Sequence, residues 1–78
     1  MTKQEMINSI PDLEKRVAFL SDKHYVGCGF HYAMEERLEK LKKQLPKYGE
    51  AEDWRDVIIE VAYETFVEDV IDAEETVK

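Results

Sequence analysis

The feature that most constrains this chain is an uninterrupted segment from Ala51 to Glu75 that contains neither proline nor glycine. A strand is the competing interpretation, because eight β-branched residues lie between Val57 and Ile71. No turn residue breaks the segment, however, and no second strand pattern exists to pair with it. Acidic residues recur at every fourth position, which is the spacing of a row on an α-helix. They are Glu52, Asp56, Glu60, Glu64, Glu68 and Asp72. We therefore predict one long helix near residues 51–75.

This C-terminal helix is predicted to be apolar around most of its circumference, since only one of its four columns at spacing four is polar throughout. Such a helix is normally buried among several others. Two shorter helices of a 78-residue monomer would cover it incompletely. We therefore predict a two-fold homodimer in which the long helices meet. The residues predicted at the dimer interface are Ile59, Tyr63, Val67 and Ile71.

The N-terminal part of the chain is divided by proline. Thr2 and Glu5 match a capping box, so a short helix is predicted to begin at Lys3. Pro11 disfavours helical backbone at the residue before it, and this predicts that the short helix ends near Ser9. A second helix is then predicted near residues 11–25, because proline is tolerated in a first turn.

A third helix is predicted near residues 30–45, where apolar residues recur at spacings of three and four. These residues are Phe30, Met34, Leu38, Leu41 and Leu45. In the preceding helix, Leu13, Val17 and Leu20 form the corresponding face. The prediction is an all-α single domain over residues 1–78, a small bundle of three main helices plus a short N-terminal helix.

Charge is distributed unevenly along the chain. The formal net charge is −7, but residues 1–49 carry nine basic and seven acidic side chains, whereas residues 50–78 carry two basic and eleven acidic ones. The acidic C-terminal part predicts a protein partner with a basic surface rather than direct contact with nucleic acid, because phosphate binding requires clustered Lys and Arg. The long helix is the place where we expect such a partner to bind.

Localisation is predicted from two features. The longest run without Asp, Glu, Lys or Arg is eleven residues, His24 to Met34, which is too short for a membrane span. The single cysteine excludes an internal disulfide and is typical of a reducing compartment. A cytoplasmic protein without membrane attachment is the expectation.

One stretch could carry chemistry. On a helix, His24, Cys28, His31 and Glu35 would lie along one face, as ligands of a zinc ion do. The spacing matches no specific zinc signature, however, and a Cys–His nucleophile pair would lack a third group to orient the base. Packing also explains the stretch, since cysteine behaves as a small apolar residue and glycine allows helices to approach closely. We therefore predict no metal, no cofactor and no enzymatic activity.

The leading functional hypothesis is a small acidic helical protein that binds a partner protein and regulates or inhibits it. This composition is typical of proteins that target basic nucleic-acid-handling surfaces, and of many accessory proteins of phages and mobile elements. Two alternatives remain open. One is a metal-binding or catalytic module centred on His24, Cys28 and His31, and the other is a plain dimeric scaffold whose acidic residues only keep it in solution.

Overall fold

Three α-helices and one 3₁₀ turn form the described part of the chain in the computed structural model. It describes residues 2–23, 29–50 and 52–76, with side-chain surroundings for 2–22, 33–50 and 52–76. The elements are α1 (Lys3–Lys23), α2 (Gly29–Gln44), the 3₁₀ turn Leu45–Lys47 and α3 (Trp54–Thr76). Each helix contacts the other two, and these ranges contain no strand. The all-α prediction is confirmed.

The N-terminal prediction of two separate helices is wrong, because α1 continues through Pro11 as one helix. Proline in a helix interior costs about 3 kcal/mol, since it lacks the N–H that would bond the preceding turn. The residues on both sides of Pro11 nevertheless share one buried face: Met6, Ile10, Leu13, Val17 and Leu20. Burying each of these side chains contributes about 1.5 to 3 kcal/mol, so together they outweigh the proline penalty.

The start of α1 follows the predicted capping box. The Thr2 hydroxyl accepts a hydrogen bond from the Glu5 backbone N–H at 3.2 Å. The Glu5 carboxylate accepts one in return from the Thr2 N–H at 3.4 Å. Two backbone donors that helix geometry leaves free are thus satisfied by side chains.

Helix α2 agrees with its predicted bounds to one residue at each end. Pro46 follows Leu45 and ends the α-helical hydrogen bonding, and the chain passes into the 3₁₀ turn. The predicted apolar faces of the first two helices are buried wherever their side chains are described, whereas the side chain of Phe30 lies outside the described part. The core contributed by α2 and the turn consists of Met34, Leu38, Leu41 and Leu45.

The beginning of α3 is organised by two carboxylates three residues apart. Asp53 caps the helix, since its side chain accepts hydrogen bonds from the backbone N–H groups of Arg55 at 2.8 Å and Asp56 at 3.2 Å. Asp56 reaches back to accept one from the Asp53 N–H at 3.4 Å. This is the reciprocal arrangement of a capping box, built here from two aspartates.

Rows at spacing four wind around α3, because residues four apart are separated by about 40° around the axis. Trp54 is 67% exposed and Ile58 56%, whereas Ala62 is half-buried and both Phe66 and Val70 are fully buried. A single apolar column therefore begins in solvent and ends in the core. The prediction that the long helix is apolar on most sides holds. The side of α3 that faces the core, however, runs parallel to the helix axis and crosses several of these columns.

Ion pairs join the helices around this core. Arg16 of α1 donates from both Nε and Nη2 to the carboxylate of Glu74 of α3, and this pairing raises the pKa of Arg16. Arg37 of α2 binds Asp69 of α3 at 2.6 Å. Lys42 binds Glu14 at 2.9 Å. Among the described residues, no helix is long and apolar enough to cross a membrane.

Candidate partner-binding surface

The exposed side of α3 begins with four apolar residues that we call the apolar ridge: Trp54, Val57, Ile58 and Val61. Each side chain is between 48% and 67% exposed. Their spacings of three, one and three place them on one side of the first two turns of the helix. A cluster of exposed large apolar side chains marks an interaction site more often than scattered ones do. The ridge is therefore the strongest apolar candidate for contact with another molecule in the described part of the chain.

The C-terminal half of the same side is acidic. Glu64, Glu68 and Asp72 are exposed. We call these three residues the acidic flank. Their carboxylates form no hydrogen bond or ion pair with any described residue, unlike Asp69 and Glu74, which bind arginines of the other two helices. The flank therefore carries three charges that take no part in the hydrogen bonds and ion pairs of the described part of the fold.

The predicted row of six acidic residues is divided by the fold. Glu52 is exposed like the flank, but Asp56 is only 7% exposed and its carboxylate is occupied by backbone N–H groups. Asp56 accepts from Gly49 at 2.8 Å and from Glu52 at 3.2 Å, in addition to its bond with the Asp53 N–H. Negative charge at a helix N-terminus is also favoured by the helix dipole. The structure thus uses Asp56 to hold the loop before α3 against the helix.

Glu60 is half-buried and accepts a hydrogen bond from the Tyr48 hydroxyl at 2.8 Å. Burial, together with the hydrogen bond to Glu60 and the charge of that carboxylate, raises the pKa of Tyr48 to about 12. This pair joins the end of the 3₁₀ turn to the second turn of α3. Glu60 therefore belongs, like Asp56, to the support beneath the apolar ridge.

The four residues predicted at a dimer interface lie mainly against the chain's own core. Tyr63 is buried, and its hydroxyl shares a 2.7 Å hydrogen bond with the Ser9 hydroxyl of α1. Ile59 and Val67 are half-buried and pack on the same core. Only Ile71 is largely exposed, at 42%. The homodimer stays a prediction. Most side chains of this column are already packed against the core of the same chain and would add little to a dimer contact.

A cation lies over the first residue of the ridge. The guanidinium of Arg55 is 5.5 Å from the centre of the Trp54 ring, within the range of a cation–π contact. Arg55 is the only basic residue between positions 50 and 76, where eleven residues are acidic. Glu50, Glu52 and Asp53 precede the ridge in the chain and the acidic flank follows it. The apolar ridge is therefore bordered by negative charge at both ends.

Shallow grooves run between the helices. The one beside the ridge, between α2 and α3, has a volume of about 250 Å³, with Leu41, Ala62 and Thr65 in its lining and Arg37 and Lys40 beside them. Arg37 is bound to Asp69 and Lys40 to Glu36. No group of three or more metal-ligating side chains occurs in the described part of the chain. Of the proposed metal or catalytic cluster, His24 and Cys28 and the side chain of His31 lie outside the described residues.

The apolar ridge was missed by the sequence prediction, although its signal is present. The columns at spacing four assign Trp54 and Ile58 to one group and Val57 and Val61 to another. Plotted at 100° per residue, the four fall within about one third of the helix circumference. The opposite side carries Tyr63, Phe66 and Val70, which are all buried.

Comparison with known proteins adds no relative. No protein-family model matches the sequence, and no curated protein and no solved structure is similar to it.

Proposed function

We propose that this protein is a non-enzymatic regulator that binds the basic surface of a partner protein through the exposed side of α3 and thereby inhibits it. The observation that carries the proposal is the acidic flank. Its carboxylates, on Glu64, Glu68 and Asp72, are exposed and have no partner among the described residues. Unpaired surface charge of one sign attracts a surface of the other sign and accelerates its approach.

A partner that handles nucleic acid presents a basic surface of this kind. Covering that surface blocks nucleic acid from reaching it, so binding and inhibition are the same event. The flank extends over about 12 Å of helix, a length over which duplex DNA carries about seven charges. Three carboxylates are too few to imitate DNA closely. Recognition must therefore include contacts other than charge, and the apolar ridge lies next to the flank to provide them.

Binding to the partner tests the acidic flank directly. The protein is used as bait in a lysate of the cells that produce it, and the retained protein is purified. Its affinity is then measured for the wild type and for a triple variant with Glu64→Gln, Glu68→Gln and Asp72→Asn. We expect the triple variant to bind about tenfold more weakly or worse, mainly through a slower association rate. Its affinity should also depend less on salt.

The matched control neutralises three acidic residues elsewhere, with Asp22→Asn, Glu36→Gln and Glu39→Gln on α1 and α2. Exposed charges of this kind contribute little to stability, so both variants should remain folded by circular dichroism. The control should bind the partner like the wild type. Equal affinity and equal salt dependence in the flank variant and the wild type would overturn the proposal.

A further inference from the structure

We propose that the apolar ridge of α3 inserts into an apolar groove of the partner protein whose edges carry Lys and Arg side chains. This inference rests on the proposed function and adds the docking mode and the chemistry of the surface that receives it. The ridge residues are Trp54, Val57, Ile58 and Val61, which occupy positions i, i+3, i+4 and i+7 of one helix. These are the anchor positions through which a helix docks in a hydrophobic groove.

The ridge is suited to insertion because the structure beneath it is held in place. Asp53 and Asp56 cap the helix at the turn where Trp54 begins. The bond between Tyr48 and Glu60 fixes the next turn to the preceding chain segment. On the opposite side, Phe66 is fully buried and packs α3 on the core. The helix is therefore already formed before a partner arrives, and docking does not need to order it.

The size of the ridge requires that its acidic neighbours take part in the contact. A specific interface buries about 800 Å² on each partner. Even a fully exposed aromatic side chain contributes only about 250 Å². Trp54 and the three aliphatic residues of the ridge are each about half to two thirds exposed, so together they fall short of about 800 Å². The footprint must extend along α3 onto Glu64 and Glu68 and, at the other end, onto Glu52 and Asp53. A groove that accepts these neighbours needs basic residues along its edges.

The same charge distribution disfavours a second copy of this chain as the occupant. A two-fold contact centred on Ile58 and Val61 would place one acidic α3 against another. Like charges brought together at an interface repel each other, and Arg55 is the only compensating cation on this stretch of chain. A basic-edged groove on a different protein has the complementary charge at both ends of the ridge.

A photo-crosslinker locates the contact on the partner. The protein carrying p-benzoylphenylalanine in place of Val61 is irradiated with the purified partner, and the crosslinked peptide is identified. We expect it to come from an apolar groove of the partner with Lys or Arg at its edges. The same crosslinker in place of Lys15, which is exposed on α1, should give no crosslink. A crosslink from position 61 to a surface that is acidic or lacks Lys and Arg would overturn the inference, and so would the absence of any crosslink.

Matched variants distinguish the ridge from general effects of charge. Ile58→Asp and Ile71→Asp each replace an exposed isoleucine of α3 by the same acid, but only the first lies on the ridge. We expect Ile58→Asp to weaken partner binding at least tenfold, mainly by faster dissociation. Ile71→Asp should change it less than about twofold. Circular dichroism checks that both remain helical, and Trp54→Ala provides a second ridge variant that adds no charge.

The outcomes for the two proposals are separable. If the flank variant weakens binding and the ridge variants do not, the proposed function stands and the ridge inference fails. If neither set changes binding, both fail. Light scattering decides between partner and second copy: a mass near the monomer's 9.2 kDa supports the inference. A dimer that Ile58→Asp dissociates would overturn it, because the ridge would then be covered by the chain itself.

Discussion

The Asp56 carboxylate accepts a hydrogen bond from the Gly49 backbone N–H at 2.8 Å, and this bond ties the loop after the 3₁₀ turn to the first turn of α3. The approach is close: a Cβ atom on Gly49 would lie 3.0 Å from an oxygen of Asp56. The next residue, Glu50, has a backbone φ of 62°, in the left-handed region. The loop therefore turns sharply around a single carboxylate, which fixes where the apolar ridge begins.

Replacing this carboxylate should destabilise the fold strongly. Asp56→Asn presents an NH₂ group to backbone donors that the carboxylate now satisfies, those of Gly49, Glu52 and Asp53. We expect a loss of about 2 to 3 kcal/mol in the free energy of unfolding, since hydrogen bonds to a charged group are the stronger ones. Urea unfolding followed by circular dichroism measures it. Glu64→Gln is the control and should change stability by less than about 0.5 kcal/mol. A similarly small change for Asp56→Asn would show that the carboxylate is dispensable.

Pro11→Ala should stabilise the protein. Alanine restores the backbone N–H missing from the interior of α1 and removes the clash of the proline ring with the preceding turn. The gain is reduced because alanine leaves the unfolded chain more freedom, so we expect about 1 to 2 kcal/mol in urea unfolding. Lys15→Ala, an exposed position of the same helix, is the comparison and should have little effect. Destabilisation by Pro11→Ala would mean that the proline shapes α1 in a way that packing requires.

Stability should fall at high pH through Tyr48. Its pKa is raised to about 12 in the folded protein, above the value near 10 of an unfolded chain. A raised folded pKa means that the contribution to stability is complete below pH 10 and is lost as pH rises towards 12. Tyr48→Phe lacks this titration, although it loses the hydrogen bond to Glu60 at all pH values. The stability advantage of the wild type over Tyr48→Phe should therefore shrink between pH 10 and 12. A constant difference across that range would contradict the prediction.

The sequence was sufficient for α2 and α3 and for the capping of the first helix. Each helical pattern extends over several turns of regular spacing, and the Thr2–Glu5 box is a local signal that local hydrogen bonds satisfy. The predicted break at Pro11 is wrong because it applied the restriction that proline places on the residue before it, and counted only the apolar face that follows the proline. Met6 and Ile10 continue that face on the other side, and their burial decides the conformation.

The exposed side of α3 was harder to predict, because a four-residue spacing indicates a helix without indicating which side of the helix is exposed. It identifies a helix correctly, but it does not identify one side of it, since each step advances the row by about 40°. The acidic row thus runs from buried Asp56 to exposed Asp72, and the column through Tyr63 runs from the core to exposed Ile71. Which side faces the core depends on how α1 and α2 pack, and that information is spread over the whole chain.

The fluorescence of Trp54 should report directly on whether the ridge is open. It is the only tryptophan of the chain and is 67% exposed, so its emission should be that of a solvated indole. Neutral acrylamide should quench it efficiently. Iodide should also quench it, because the Arg55 guanidinium lies 5.5 Å from the centre of the ring and counteracts the repulsion of an anion by Glu50, Glu52 and Asp53.

Docking in an apolar groove should shift the emission to shorter wavelength and protect the ring from both quenchers, because the indole leaves water. Asp69→Asn, on α3 but away from Trp54, provides a control for general charge effects and should leave the quenching pattern unchanged. A blue-shifted, protected tryptophan in dilute protein alone would contradict an open ridge. Protection that appears only as the concentration of this chain is raised would show that a second copy covers Trp54, since association follows mass action.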